Sequence, residues 1–170
     1  MSTEFKKAGI PFLIVGGFAV NYHKVARSTG DFDLLMREAD YPQALGILEQ
    51  AGYREVRKEF LCARLRNEEL FFMPVDILFT DPNSLAEMLK EAKEIKIRGQ
   101  EFKVPSLQNL MAMKLHSLKQ SGGERDYKDL LDLLDLMKQN QIDGRSQAFK
   151  DLCLKFGGEE IYRKVEQFLP

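Results

Sequence analysis

At 170 residues, with 44% apolar and 30% charged side chains, the chain has the size and composition of one soluble folded domain, not of a disordered or collagen-like protein. Its 25 Lys plus Arg and 26 Asp plus Glu nearly cancel, so net charge gives no argument for nucleic acid or an anionic membrane, and only a local basic cleft stays open. Cys62 and Cys153 stand far apart and outside any CxxC or Cys/His cluster; they read as buried thiols in a reducing compartment, with no disulfide framework or structural zinc.

The N-terminal stretch has basic residues ahead of a short apolar run, but Pro11 and Gly16-Gly17 break the run and no small-residue cleavage site follows. No segment has the length of a membrane span, and the expectation is a cytoplasmic protein. Residues 3–8 read as a helical turn closed by Gly9, followed by a buried strand at 12–15. Gly16-Gly17 turns into a short helix, 18–24, and a strand follows at 31–36. Asp40 and Pro42 open a helix that stops at Gly52. Three candidate strands at 53–58, 61–66 and 70–79 suit an antiparallel meander, the last interrupted by Pro74. Asp81-Pro82-Asn83 is a turn, Ser84 caps a helix to about Ala92, and a hairpin turns at Gly99-Gln100 in a type II′ turn.

From Ser106 onward only helical periodicity remains. Leu107, Leu110, Met111, Leu115 and Leu118 form one stripe; Leu130, Leu131, Leu134 and Met137 form the next; Phe149, Leu152, Phe156, Ile161, Val165 and Phe168 continue it. The fold class is therefore α+β: a small mixed, partly antiparallel sheet with helices, residues 1–105, and a helical bundle, 106–170, packed on it as one folding unit.

Three features of the first half belong together: Gly16-Gly17 after a strand, Asp31-Phe32-Asp33 opening the next, and Asp76 inside the apolar PVDILF. Residues two apart on a strand share a face at roughly 6.5–7 Å, so Asp31 and Asp33 can reach one pair of cations while Phe32 turns into the core. Hard Mg²⁺ takes a few carboxylates plus phosphate oxygens, and a third carboxylate, here Asp76, holds a second ion or accepts a proton. The glycines bare backbone amides for a triphosphate. Each piece alone has a plainer reading: a DxD is most often a cap or turn, and a glycine pair most often a turn. Asp76 is harder to dismiss, because an acid in an apolar strand needs a partner or a cation.

The segment VGGFAVNYHKVARSTGDFDLLM resembles the hG[GS] and [DE]h[DE] signature of the DNA polymerase β-like nucleotidyltransferases, with thirteen residues between Gly17 and Asp31. With Arg27 and Thr29 ahead of the acids, it looks like the minimal bacterial branch related to the abortive-infection (AbiEii-type) toxins. That branch continues with VPSL…KL and an Arg/Lys/Asp cluster; here VPSLQNLMAMKL holds Lys114, and ERDYKDLLDLL holds Arg125, Lys128 and Asp129. The resemblance spans about 14–134. It implies the nucleotidyltransferase fold, Mg²⁺ or Mn²⁺ as cofactor, and a nucleoside triphosphate as substrate. By position, Asp31, Asp33 and Asp76 bind metal and carry catalysis, and Gly16, Gly17, Arg27 and Thr29 lie at the nucleotide.

Lys114 is read as a point cation against the triphosphate, or as a lysine that snorkels from an apolar helix face. Arg125 with Asp129, and Lys128 with Asp132, are spaced as ordinary exposed helix pairs, and His23 and His116 read as surface or packing residues. Two functions stay open: metal-dependent transfer of a nucleotidyl group to a hydroxyl of a protein, a tRNA end or a small molecule, and a non-catalytic nucleotide- or partner-binding component with a cognate toxin or antitoxin. Retention of two adjacent, mutually repelling carboxylates favours the first. A fortuitous motif would leave Asp31 and Asp33 pointing apart.

Overall fold

Apolar runs bounded by glycine, proline and acidic caps become the elements of a computed structural model that describes residues 1–69, 71–120 and 124–169, without the side chains of 124–126. The chain divides into two units, Met1–Ala19 with Arg27–Ser106, and Val20–Ala26 with Leu107–Pro170.

In the first unit the order is α1 (Ser2–Lys7), β1 (Phe12–Ile14), the start of α2 (Gly16–Tyr22), β2 (Phe32–Arg37), and a single 3₁₀ turn at Glu38–Asp40 leading into α3 (Tyr41–Gln50). Then come β3 (Tyr53–Lys58), β4 (Cys62–Asn67), β5 (Val75–Thr80), α4 (Pro82–Lys90) and the hairpin β6 (Lys93–Ile97) and β7 (Gln100–Val104). Five strands form one sheet in the order β1-β2-β5-β4-β3. β2 and β5 run parallel and every other neighbouring pair antiparallel, so the expected mixed sheet and the β3-β4-β5 meander are both present.

The register decides what each face carries. Phe12, Met36 and Phe79 are successive cross-strand partners and share a face. Phe5 of α1 packs edge-on to Phe12 at 5.2 Å between ring centres, and Tyr41 of α3 to Phe79 at 5.2 Å. Those two helices therefore cover that face, leaving the alternate residues Asp33 and Asp76 on the other.

Two local expectations shift. The helix after β5 is capped by Asp81, whose Oδ1 accepts from the amides of Asn83 and Ser84, so Ser84 lies inside the helix. Ser and Asp are both good caps, and Pro82 at the first helical turn selects the residue before it. The β6–β7 turn is Arg98-Gly99, one residue earlier than expected, with φ of +47° and +77°. Positive φ at both central residues is type I′ chemistry, so Arg98 takes a left-handed conformation and Gln100 joins the ladder.

The second unit holds α5 (Leu107–Gln120), α6 (Glu124–Gln139), α7 (Gln147–Phe156) and α8 (Gly158–Glu166), as the periodicity predicts. Leu110, Met111, Leu115 and Leu118 of α5 are buried as read from sequence. In α6 the buried stripe is Leu130, Leu133, Leu136 and Met137, flanked by buried Asp129 and Asp132, while Leu131 is 42% exposed. The stripe is rotated because the two acids are turned inward to a buried cation of α5. Phe168 falls beyond the end of α8 and is exposed. Cys153 is buried, and burial pushes its thiol up to about 11; Cys62 is only half-buried, against expectation, and neither is in a disulfide. Among the described residues no helix is long and apolar enough to cross a membrane.

Candidate active site

Asp31 sits one residue ahead of β2, and Asp33 is the second residue of that strand. The parallel register sets Asp33 opposite Asp76, second residue of β5. The three acids are half-buried, and one oxygen of each lies within 4.8 Å of the others. The geometry thus brings together the three carboxylates that the sequence singles out, on one face of the sheet.

The glycine pair belongs to the same place. The Val15 amide donates to the Asp33 carbonyl at 2.9 Å, which ties the end of β1 and the start of α2 to β2. Gly16 has φ of +57°, and a Cβ there would overlap the Asp33 carboxylate. At Gly17 a Cβ would stand 2.5 Å from the Thr29 hydroxyl oxygen and 3.3 Å from a guanidinium nitrogen of Arg27. Both glycines are needed for close approach, and Arg27 and Thr29 flank them. The Thr29 hydroxyl lies 3.2 Å from the Asp31 carbonyl and 3.2 Å from its carboxylate, holding the turn that presents Asp31.

Gly16→Ala should lower stability by at least about 1–2 kcal/mol, the cost of a left-handed non-glycine residue, and displace Asp33 as well. Gly46, inside α3 with open space at its Cβ, supplies the opposite sign: Gly46→Ala should raise stability by about 0.5–1 kcal/mol. Urea midpoints of the two variants check both. Equal shifts would remove the steric account of Gly16.

One site residue was not read from sequence. Arg64 of β4 is the cross-strand partner of Asp76. Its Nε donates to Asp76 Oδ1 at 2.7 Å, and its Nη2 donates to Oδ2, a two-pronged pair. That hydrogen bonding and the Asp76 charge, with Asp31 and Asp33 adding to it, raise the Arg64 guanidinium above its ordinary value, so it stays charged. Arg64 is the partner that an acid in an apolar strand requires. The alternation of buried Ala63 and Leu65 with exposed Arg64 and Arg66 in CARLRN was the available signal, but it needs the β4–β5 register to become specific. The three carboxylates offer an all-oxygen donor set that fits a hard divalent cation.

Lys114 belongs to the second unit and is 9% exposed. Its ammonium donates to Asp129 Oδ1 and to Asp132 Oδ2, each at 2.6 Å, and the Ser117 hydroxyl donates to Asp129 Oδ2 at 2.6 Å. Asp129 and Asp132 are thus buried partners of Lys114 and not exposed helix pairs. Lys128 is exposed on α6, and the side chain of Arg125 lies outside the described residues. His23 is buried with its carbonyl accepting from Asn140, and His116 is exposed.

No curated protein matches the chain in sequence. Among solved structures it is similar to ANT(2'')-Ia in complex with adenylyl-2''-tobramycin, with 15% identity, TM-score 0.64, and 89% of this chain and 90% of that chain covered. It is similar too to the lincosamide antibiotic adenylyltransferase LnuA bound to lincomycin, with 16% identity, TM-score 0.55, and 81% and 92% covered. A nucleotidyltransferase-like antigenic protein from Paracoccidioides brasiliensis gives 16% identity, TM-score 0.57, and 99% and 89% covered. At these identities the shared property is the nucleotidyltransferase fold. The family described as uncharacterised nucleotidyltransferase matches residues 1–164. With that match across nearly the whole chain and the acids and glycines of its first half converging, the protein belongs to this nucleotidyltransferase family.

Proposed function

We propose that the chain moves a nucleoside monophosphate from a nucleoside triphosphate to a hydroxyl acceptor, with Asp31, Asp33 and Asp76 as the ligands of Mg²⁺ or Mn²⁺. The observation that carries this reading is the approach of three carboxylate oxygens within 4.8 Å beside glycines that admit no side chain. A bound divalent ion supplies charge neutralisation for in-line displacement at the α-phosphorus. Gly16 and Gly17 let the phosphates come close to backbone, and Arg27 and Thr29 border them. Arg64 fixes the orientation of Asp76, which takes the proton of the attacking hydroxyl. The new bond joins acceptor oxygen to the α-phosphorus, the bond to the β-phosphate oxygen breaks, and pyrophosphate leaves.

Lys114 is left out of the phosphate contacts, because its ammonium already meets two carboxylates at 2.6 Å; its role is to brace α5 against α6. The meeting of Lys114 with Asp129 and Asp132 supports placing the chain near the abortive-infection branch, and a cognate partner and a cytoplasmic setting belong to the same proposal.

The test is incubation with each α-labelled triphosphate, Mg²⁺ or Mn²⁺, and cell extract. Label should appear on an acceptor with wild type and not with Asp31→Asn. Absence of label together with absence of metal-dependent nucleotide binding would sink the reading.

A further inference from the structure

Beyond Asp76, the face of the sheet that bears the acids changes sign. The register that places Arg64 opposite Asp76 also places Arg57 opposite Arg64, and Arg54 opposite Arg66. Residues three apart on a regular strand face opposite ways. Arg54 and Arg57 share a face because the register shifts between Glu55 and Arg57, with Val56 as the extra residue. Glu55 and Lys58 are correspondingly turned to the other face, where Glu55 accepts from the Tyr41 hydroxyl and the Lys58 ammonium lies 5.2 Å from the Tyr41 ring centre. Four arginines therefore continue the row that begins with Asp33 and Asp76, on a chain whose net charge is −1.

All four are exposed; Arg64 is held by Asp76, and the present neighbours of the other three hold them weakly. Arg54 pairs with Glu68 at 2.7 Å, with side chains 76% and 72% exposed, and Arg57 pairs with Glu59 in a similarly open position. Pairs of this kind contribute little and exchange readily for a better anion. Arg66 is in no ion pair among the described residues. The β4–β5 loop, which follows Arg66 closely in the chain, carries Phe71, 74% exposed, and Phe72, with ring centres 4.6 Å apart. Planar guanidinium forks match phosphate oxygens in pairs, which is a means by which proteins track the backbone of single-stranded nucleic acid. The same face would repel a polycationic acceptor such as an aminoglycoside.

We infer that Arg54, Arg57 and Arg66 form a cradle for the phosphate backbone of a single-stranded nucleic acid whose terminal hydroxyl is the acceptor, delivered past Arg64 to the Asp76 end of the site. The binding stands on the arginine face alone; the transfer step rests on the proposed function and has the bond changes given there.

The experiment follows a 5′-labelled single-stranded RNA of about a dozen nucleotides by fluorescence anisotropy across a salt titration. Arg64 is left intact because it holds Asp76, and the variant is Arg54→Gln/Arg57→Gln/Arg66→Gln. Its RNA affinity should fall at least about tenfold at low salt, and its slope of log affinity against log salt should flatten by about 2, the share of three phosphate contacts. Glu59→Gln/Glu68→Gln, which removes the competing carboxylates, should tighten RNA binding. A DNA strand of the same sequence runs in parallel; loss of either strand on the triple substitution supports the face, and the tighter strand names the sugar. Equal affinity and slope for wild type and triple variant, or no RNA binding by wild type, would overturn the inference. So would labelling of an aminoglycoside that the triple substitution leaves unchanged. Metal-dependent nucleotide binding, measured on the same preparations, separates the two proposals: RNA binding without it removes the transferase reading and keeps the arginine face, and nucleotide binding without RNA binding does the reverse.

Discussion

Asp33→Asn should abolish most nucleotidyl transfer while leaving the fold at least as stable as wild type. The amide keeps the shape of the carboxylate and loses one of three charges gathered within 4.8 Å. Several kcal/mol of transition-state stabilisation depend on such a ligand set, and about 3–5 kcal/mol corresponds to two to four decades in rate. The sign for stability is opposite. Without metal the three carboxylates repel one another, and Arg64 is paired with Asp76, so removing the Asp33 charge relieves that repulsion in the native state. A gain of up to about 1 kcal/mol would raise the melting temperature by roughly 2–4 °C in a chain of this size. Added Mn²⁺ should raise the melting temperature of wild type, because it binds the folded state, and should do little for the variant. Steady-state rates and thermal melts with and without Mn²⁺ check the pair of effects. A variant that keeps wild-type turnover, or that loses stability and activity together, would mean that Asp33 is structural.

The parts of this architecture that could be read from sequence are those fixed over short separations. A strand, a glycine pair, a helix and a DxD strand follow one another within 26 residues, from Phe12 to Arg37, and each step has its own local chemistry. Asp76 could be singled out because a carboxylate among Val75, Ile77 and Leu78 violates the apolar pattern. Arg64 could not, since its role depends on which residue of β5 it faces, and register is set by tertiary pairing. The shift at Val56 is invisible for the same reason: an extra residue in an edge strand leaves the sequence looking like ordinary alternation. Lys114 and its two acids are 15 and 18 residues apart across a helix–helix connection, so helical periodicity by itself assigned the acids to solvent and rotated the apolar stripe of α6 by about one residue. The sequence was most legible where physics is local, and least where charge is buried by a distant partner.

That buried cluster sets the largest expected effect on stability. Lys114→Met keeps the volume and the apolar stem but removes the ammonium from which Asp129 and Asp132, 6% and 5% exposed, both accept. Removing one partner of a buried ionic cluster typically costs about 3–5 kcal/mol, because the remaining charges stay desolvated. Against a total stability of about 5–15 kcal/mol, the loss is large enough to read directly from urea unfolding. Asp132→Asn should cost less, since Lys114 keeps Asp129, and Asp129 keeps the Ser117 hydroxyl. The triple change Lys114→Met/Asp129→Leu/Asp132→Leu should recover part of the single-variant deficit, because it removes both carboxylates along with the ammonium that they share. Strong non-additivity of this kind is the mark of one coupled network. At a temperature where Lys114→Met remains folded, its affinity for nucleoside triphosphate should equal that of wild type. A loss of nucleotide affinity with little change in stability would instead make Lys114 a phosphate ligand and return its two acids to a secondary role.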